Sequence, residues 1–260
     1  MISVHWLHNT LRNQYRAVSF FRLLRNIFPS PKRESICFIA ATRLTEPEFW
    51  ESSPLGIGLK PLLDEQNVSA IVKFSNTDGL PFVYNRAIKN ATNSDILVFL
   101  HDDIWLEDQN LVAKIRASLQ RFDIIGIAGN TRISKKQPAW LFRAIENNKF
   151  VWDDGYLSGI VRHGTPGASE PSIYGPTPAK CYLLDGVLLV AKRKNLLFSN
   201  VYFDERFKFH FYDMDFCRSA SRAGLSLGTW PIDILHLSGG AFGTSHWLEG
   251  HSIYLKKWRK

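Results

Sequence analysis

The sequence predicts an α/β fold, a mainly parallel central sheet flanked by helices. Three observations carry this. Short β-rich apolar runs alternate with helical segments between residues 35 and 128, the pattern of parallel strands joined by right-handed crossovers. The chain has 260 residues, 45% of them hydrophobic, enough for a substantial core. The run Ile96, Leu97, Val98, Phe99, Leu100 stops abruptly at His101, Asp102 and Asp103. A buried strand thus delivers two carboxylates to its exit, where open α/β sheets bind ligands.

The elements follow in chain order. Residues 1–33 form a basic extension with an amphipathic helical pattern: Val4, Leu7, Leu11, Tyr15 and Val18 on one side, Arg12 and Arg16 on the other. Its apolar face either packs on the domain or lies on an anionic membrane surface. Pro29 and Pro31 mark a linker to the main domain, 34–245. Residues 35–41 read as a first strand and 69–74 as a second. Between them, Thr45 and Pro47 open a short helix over 45–51. A helix over 80–91 precedes the third strand, 95–100. An amphipathic helix over 108–121 precedes a fourth strand, 124–128, closed by Gly129 and Asn130. Residues 130–180 break the rhythm with Gly, Pro and aromatics, including Trp140, Trp152, Tyr156 and Tyr174, and read as functional loops. A strand over 186–191, a helix over 212–223 ended by Gly224, and short strands over 225–230 and 232–235 follow. The C-terminal segment, 246–260, is a helix with a basic end.

Charge placement narrows the function. The net charge is +8, but residues 1–33 carry +6 with no acid and residues 255–260 carry +4, leaving −2 on the body. Nucleic-acid enzymes more often carry a basic stripe across the body, so no nucleic-acid partner is expected. Basic ends suit an anionic membrane surface instead. No apolar run approaches a membrane span, and Arg12 and Arg16 break what would be the core of an export signal. Cys37, Cys181 and Cys217 are scattered, without a CxxC pair, as free thiols in a reducing compartment would be. The expectation is a cytoplasmic protein, peripheral at the inner face of the plasma membrane.

Three clusters can carry chemistry. Asp102 and Asp103 either cap the next helix as solvated carboxylates or hold a divalent cation, since adjacent carboxylates repel unless a positive charge lies between them. Asp213 and Asp215 stand two apart at a helix start and do not share a helix face. One can enter a cleft while the other caps or anchors. His236 ends a short strand before Gly239 and Gly240, as a structural histidine or a third metal ligand.

In this order the clusters resemble the family-2-like glycosyltransferases of the GT-A nucleotide-diphospho-sugar transferase fold, over roughly residues 35–240. Tyr84-Asn85-Arg86-Ala87-Ile88 is similar to the family's helix before the metal strand, and Ile96 to Asp103 to its strand and D-x-D triplet. Asp185 and Gly186 resemble the segment beside the acceptor site. Phe203-Asp204-Glu205 with Tyr212-Asp213-Met214-Asp215-Phe216 resembles the segment carrying the base. Gly126, Ala128, Gly129 and Trp140 are similar to the branch that includes streptomycin-cluster glycosyltransferase-like proteins. His101 stands where the triplet has its first Asp, and Tyr212 where a Glu commonly precedes the base.

The resemblance implies an inverting, hexosyltransferase-type enzyme. It would move a sugar from a nucleotide diphosphate donor to the hydroxyl of a glycan or glycolipid acceptor, in bacterial surface polysaccharide or lipopolysaccharide assembly. It implies Mn²⁺ or Mg²⁺ held by Asp103 and His236, Asp213 as general base, and donor contacts from Thr42, Asn85 and Asp102. The aromatic residues of 130–180 would face the acceptor. Two alternatives remain. One is a nucleotidyltransferase acting on sugar phosphates, although no Gly-rich loop follows the first strand. The other is a non-catalytic nucleotide-sugar-binding protein. The absence of G-x-G-x-x-G after an early strand argues against a dinucleotide oxidoreductase.

Overall fold

A computed structural model describes residues 33–258. The chain divides into Met1–Arg33 and Glu34–Lys260. The amphipathic pattern expected before residue 33 and the final basic residues Arg259 and Lys260 lie outside the described residues. Among the described residues, no helix is long and apolar enough to cross a membrane.

The chain opens with β1 (Ile36–Ala41), β2 (Val68–Lys73) and β3 (Ile96–Leu100), then β4 (Ile104–Leu106), β5 (Ile124–Gly126) and β6 (Ala128–Asn130). A hairpin of β7 (Phe142–Glu146) and β8 (Lys149–Trp152) precedes a longer one of β9 (Leu157–Thr165) and β10 (Ala168–Gly175). β11 (Lys180–Cys181), β12 (Leu183–Leu184), β13 (Leu188–Lys192), β14 (Leu227–Thr229) and β15 (Ile234–His236) complete the strands.

The seven-stranded sheet has the order β11-β14-β5-β13-β3-β1-β2. β1, β2, β3, β5 and β14 run one way, while β13 and β11 run the other. β1 and β3 are buried at every position because both faces of the sheet are covered. The edge strand β2 instead alternates half-buried and exposed residues. Helix Leu80–Asn90 turns Val83, Tyr84, Ala87 and Ile88 into the core, as its spacing predicts. Tyr84 packs 5.0 Å from Phe99 and 5.2 Å from Phe203.

Three expectations change. The amphipathic segment after β4 is helical only over Leu111–Ser118, because Asp108 accepts the Asn110 N–H and binds Lys114 at 2.6 Å ahead of the helix. A further short helix, Arg193–Phe198, follows β13. Residues 130–180 are strand-rich rather than irregular. β9 and β10 pair antiparallel through a Pro166-Gly167 turn, with Gly167 at φ +82°, the left-handed conformation glycine adopts without strain. They join a second sheet of order β12-β6-β9-β15-β4.

The C-terminal helix, Ser245–Lys257, packs Trp247 and Tyr254 into the interior. Its end is pinned electrostatically. Asp215 is fully buried and accepts from Lys257 Nζ and from Trp258 Nε1 at 2.8 Å. Burial pushes the Asp215 carboxyl up, against the pull of Lys257 and Trp258. Arg218 and Arg222 lie 4.6 and 4.3 Å from the Trp258 ring, one cation–π partner from each of two helical turns.

Candidate active site

Two sheets meet at the exit of β3, and their registers assemble the site. β4 pairs antiparallel with β15, setting Ile104 opposite His236. The Leu237 N–H then donates to the Asp103 carbonyl at 3.0 Å. This three-residue pairing brings His236 Nε2 to 3.3 Å from Asp103 Oδ1 across 133 residues of chain. β13 runs antiparallel to β3, so its start lies at the exit of β3, and the His101 N–H donates to the Val187 carbonyl at 3.2 Å. Asp185 and Gly186 therefore adjoin His101.

His101, Asp103 and His236 place one ligand atom each within 4.8 Å of one another. The hydrogen bonds assign the His101 tautomer. Tyr212 gives its hydroxyl proton to the Gly186 carbonyl at 2.8 Å, and that carbonyl can only accept. The 2.9 Å contact between Tyr212 Oη and His101 Nε2 must then be donated by His101. Nδ1 keeps its lone pair and stands 3.9 Å from Asp103 Oδ1. Such a partner on the far nitrogen orients a metal-binding imidazole. Burial pushes the His101 pKa down, so the ring is neutral. Burial pushes Asp103 up, but the hydrogen bond from His236 and further contacts with His236, His101 and Ser238 outweigh it and hold the carboxyl at about 2. A neutral imidazole and an ionised carboxylate are the forms that bind a cation. Two imidazoles and one carboxylate fit a borderline divalent ion, Mn²⁺ better than the harder Mg²⁺.

Asp213 stands at the start of helix Tyr212–Arg222. Its carboxylate accepts from the Gly186 N–H at 3.1 Å and the Met214 N–H at 2.8 Å. Burial, then the charge of Asp185, pushes its pKa up to about 7. The helix is entered through Phe211 at φ +68°, a left-handed conformation that costs a bulky residue about 1–3 kcal/mol. Trp247 and Tyr254 hold it, at 5.1 and 5.3 Å. Gly186 permits the close approach: a Cβ there would meet Tyr212 Oη at 2.4 Å and Asp213 Cβ at 2.9 Å.

The triad residues His101 and His236 and the pair Asp185 and Asp213 line one cavity of about 260 Å³. Trp140 and Tyr174, in edge-to-face contact at 4.9 Å, form part of its wall. Trp152 does not: it is 48% exposed and packs on Phe142 at the β7–β8 hairpin.

The remaining expected contacts are placed as follows. Thr42, buried at the exit of β1, accepts the Leu44 N–H through its hydroxyl at 3.2 Å. It follows β1 directly, and Asp102 follows the neighbouring parallel strand β3 after one intervening residue. Asp102 is half-buried and lies outside the triad, its carbonyl accepting the Leu55 N–H at 3.3 Å. Asn85 is not brought to the cluster. Its amide donates to the Phe203 carbonyl and Glu205 Oε1, and its oxygen accepts the Phe203 N–H, each at 2.9 Å. That side chain ties Phe203 and Glu205 to the helix Leu80–Asn90. The residue missed as a ligand is His101. Its signal is position: it is the first polar residue after the buried strand β3 and stands two before Asp103.

A sequence model described as a glycosyltransferase-like family matches residues 65–233. The chain belongs to this glycosyltransferase-like family. The matched span holds His101, Asp103, Asp185 and Asp213, whereas Thr42 and His236 fall outside it. The chain has the mixed α/β fold expected from its sequence, with β3 ending at the site just described. No curated protein matches the chain. Among solved structures, GalNAc-T7 with UDP, GalNAc and Mn²⁺ aligns at TM-score 0.48 and 14% identity, over 88% of this chain and 48% of its own. This chain thus spans about half the length of that protein. The catalytic domain of Drosophila β1,4-galactosyltransferase 7, in complex with xylobiose, aligns at 0.44 and 14% identity, over 75% of this chain and 64% of its own. TarS of S. aureus aligns at 0.43 and 13% identity, over 78% and 37%.

The Asp185–Asp213 pair predicts a pH signature. With Asp213 as a general base, which works deprotonated, the acid limb of kcat/KM would fall near pH 7 and activity would rise with pH. Asp185→Asn removes a charge that raises the Asp213 pKa, so the limb moves to lower pH. A limb that stays fixed in that variant would assign it to another group.

Proposed function

We propose that this glycosyltransferase moves a sugar from a nucleoside diphosphate donor to an acceptor hydroxyl, with inversion and with a divalent metal. The supporting observation is that His101, His236 and Asp213 line one cavity, with Asp103 completing the triad beside it. Asp213 takes the proton of the acceptor hydroxyl as that oxygen bonds to the anomeric carbon. The bond from the anomeric carbon to the diphosphate oxygen breaks on the opposite face, which inverts the centre. His101, Asp103 and His236 would hold Mn²⁺ in preference to Mg²⁺, and the cation supplies positive charge for the diphosphate leaving group. Thr42 and Asp102, at the exits of adjacent parallel strands, are the donor contacts in this reading.

The deciding experiment is a nucleotide-sugar panel with and without Mn²⁺, read by nucleoside diphosphate release. Metal-dependent release from one donor is the expected result. Pyrophosphate release from a nucleoside triphosphate and a sugar phosphate would instead identify a nucleotidyltransferase. Silence with every donor would leave a non-catalytic binding protein. In calorimetry, Asp103→Ala should bind the donor in Mn²⁺ no better than the unaltered protein does in chelator. Full metal-dependent affinity in that variant would remove Asp103 from the metal site.

The biological setting we propose is bacterial surface polysaccharide or lipopolysaccharide assembly, in the branch resembling streptomycin-cluster glycosyltransferase-like proteins. The acceptor would be a glycan or glycolipid at the cytoplasmic membrane face. The basic ends support this placement, with one reduction: Lys257 is engaged internally by Asp204 and Asp215. Removing residues 1–30 should release the protein from membrane fractions, and unchanged fractionation would count against the placement.

A further inference from the structure

We propose that the folded domain carries its own docking surface for an anionic lipid bilayer, built from helices Leu80–Asn90 and Arg193–Phe198 and led by Phe198. The inference rests on the membrane placement proposed above and assigns part of it to the domain rather than to the basic ends.

Phe198 is the anomaly that points there. Helix Arg193–Phe198 buries Leu196, half-buries Leu197 and leaves Phe198 95% exposed. A lone exposed apolar side chain is ordinary, but this one stands among other aromatics and cations. On helix Leu80–Asn90, Phe82, Arg86 and Lys89 recur at helical spacing on the solvent side. Arg86 lies 5.6 Å from the Phe82 ring, and Lys89 lies 5.5 Å from that of Tyr202. The two helices are locked together. Arg193 Nε donates to the Ile88 carbonyl at 2.8 Å, and its Nη2 to the Lys89 carbonyl at 2.7 Å. The turn after Phe198 closes through the Asn200 N–H on the Leu197 carbonyl and the Val201 N–H on the Leu196 carbonyl, at 3.2 and 2.9 Å. That turn leads back to Tyr202 beside Lys89. A surface fixed in this way needs little ordering when it binds.

Charge selects the partner. Neither helix contains an acid, and among the described residues Arg86, Lys89 and Lys194 form no ion pair. The carboxylates at the border are engaged elsewhere: Glu34 with Lys192 at 2.9 Å, Asp123 with Asn195 at 2.8 Å, Glu205 with Asn85 at 2.9 Å. Unpaired cations beside exposed aromatic rings match a bilayer interface, where the rings enter the headgroup boundary and the cations meet lipid phosphates. Glu34 is also where residues 1–33 join the fold, with six Lys and Arg and no acid. The extension is thus tethered next to Lys192, the residue before helix Arg193–Phe198. None of the side chains of this surface lines the cavity.

The full chain, with phosphatidylcholine vesicles containing or lacking phosphatidylglycerol, tests this. A polarity-sensitive fluorophore goes on Phe198→Cys; Cys37, Cys181 and Cys217 are buried, so labelling is selective. Its emission should shift to the blue with phosphatidylglycerol vesicles, and less so as added salt screens the charges. The same fluorophore on Glu170→Cys, at the exposed strand β10, should stay in water. In co-sedimentation, Lys89→Gln and Lys194→Gln should each weaken binding about fivefold, and Phe198→Ser about tenfold. Nucleoside diphosphate release from a soluble donor should be unchanged in all three. Vesicle binding with the Phe198 fluorophore unshifted, with both fluorophores shifted alike, or undiminished in the three variants would overturn this surface and leave the basic ends as the contact. Failure of the unaltered chain to sediment with phosphatidylglycerol vesicles would overturn the membrane placement as well. A shift that grows with protein concentration in the absence of vesicles would identify a second copy as the occupant and overturn the bilayer.

Discussion

Asp213→Asn should lower turnover by about 10²–10⁴-fold, the usual contribution of positioned proton transfer, while donor affinity in Mn²⁺ survives. The expectation rests on placement. The carboxylate is held by two backbone N–H groups, lines the cavity, and has its pKa pushed up to about 7. Asn keeps the shape but accepts no proton. Both backbone donors come from the residues around it, and the same bonds would serve a helix-capping Asp. The two roles separate in measurement. Loss of turnover with an intact thermal transition and intact donor binding marks a base. Collapse of all three together would mark a cap.

The second large effect concerns stability and falls two residues away. Lys257→Met should destabilise the fold by about 3 kcal/mol, since it strips the cation from a fully buried carboxylate. At roughly 2–4 °C per kcal/mol for a chain of this size, the midpoint should fall by about 6–12 °C. Trp258 Nε1 still donates to Asp215, which keeps the loss below that of an isolated buried charge. Adding Asp215→Leu should recover much of the loss, because a buried ion pair replaced by apolar groups is often neutral or stabilising. A midpoint unchanged in Lys257→Met would mean that the pair is solvated in solution. Asp213 and Asp215 thus divide the work that their spacing allowed but did not assign. One faces the cavity, and the other anchors the C-terminal helix, whose Trp247 and Tyr254 brace Phe211 at the entry to the same helix.

The site was legible in the sequence to different depths. Asp103, Asp213 and His236 stand out because acids and a histidine follow apolar strands, and because their order resembles a known family. Asn85 stands out for the same second reason, and its amide bonds Phe203 and Glu205. An asparagine that pins a turn and one that meets a nucleotide look alike in a helix sequence. His101 reads as a departure from the D-x-D triplet until β15 arrives beside it. The three-residue strand β4, too short to announce itself by alternation, is what brings β15 there.

The sequence by itself determined the α/β class, the exits of β1 and β3, and the residue types available for metal and proton transfer. Those follow from hydrophobic periodicity and from the chemistry of single side chains, which are local properties. Only the tertiary structure decided that His101 completes the triad, that burial beside Asp185 raises the Asp213 pKa, and that Lys257 faces inward. Each depends on a pairing between segments far apart in sequence: β4 with β15, β13 against β3, the last helix on Asp215. Such pairings are selected by the packing of the whole core, and no local pattern records them.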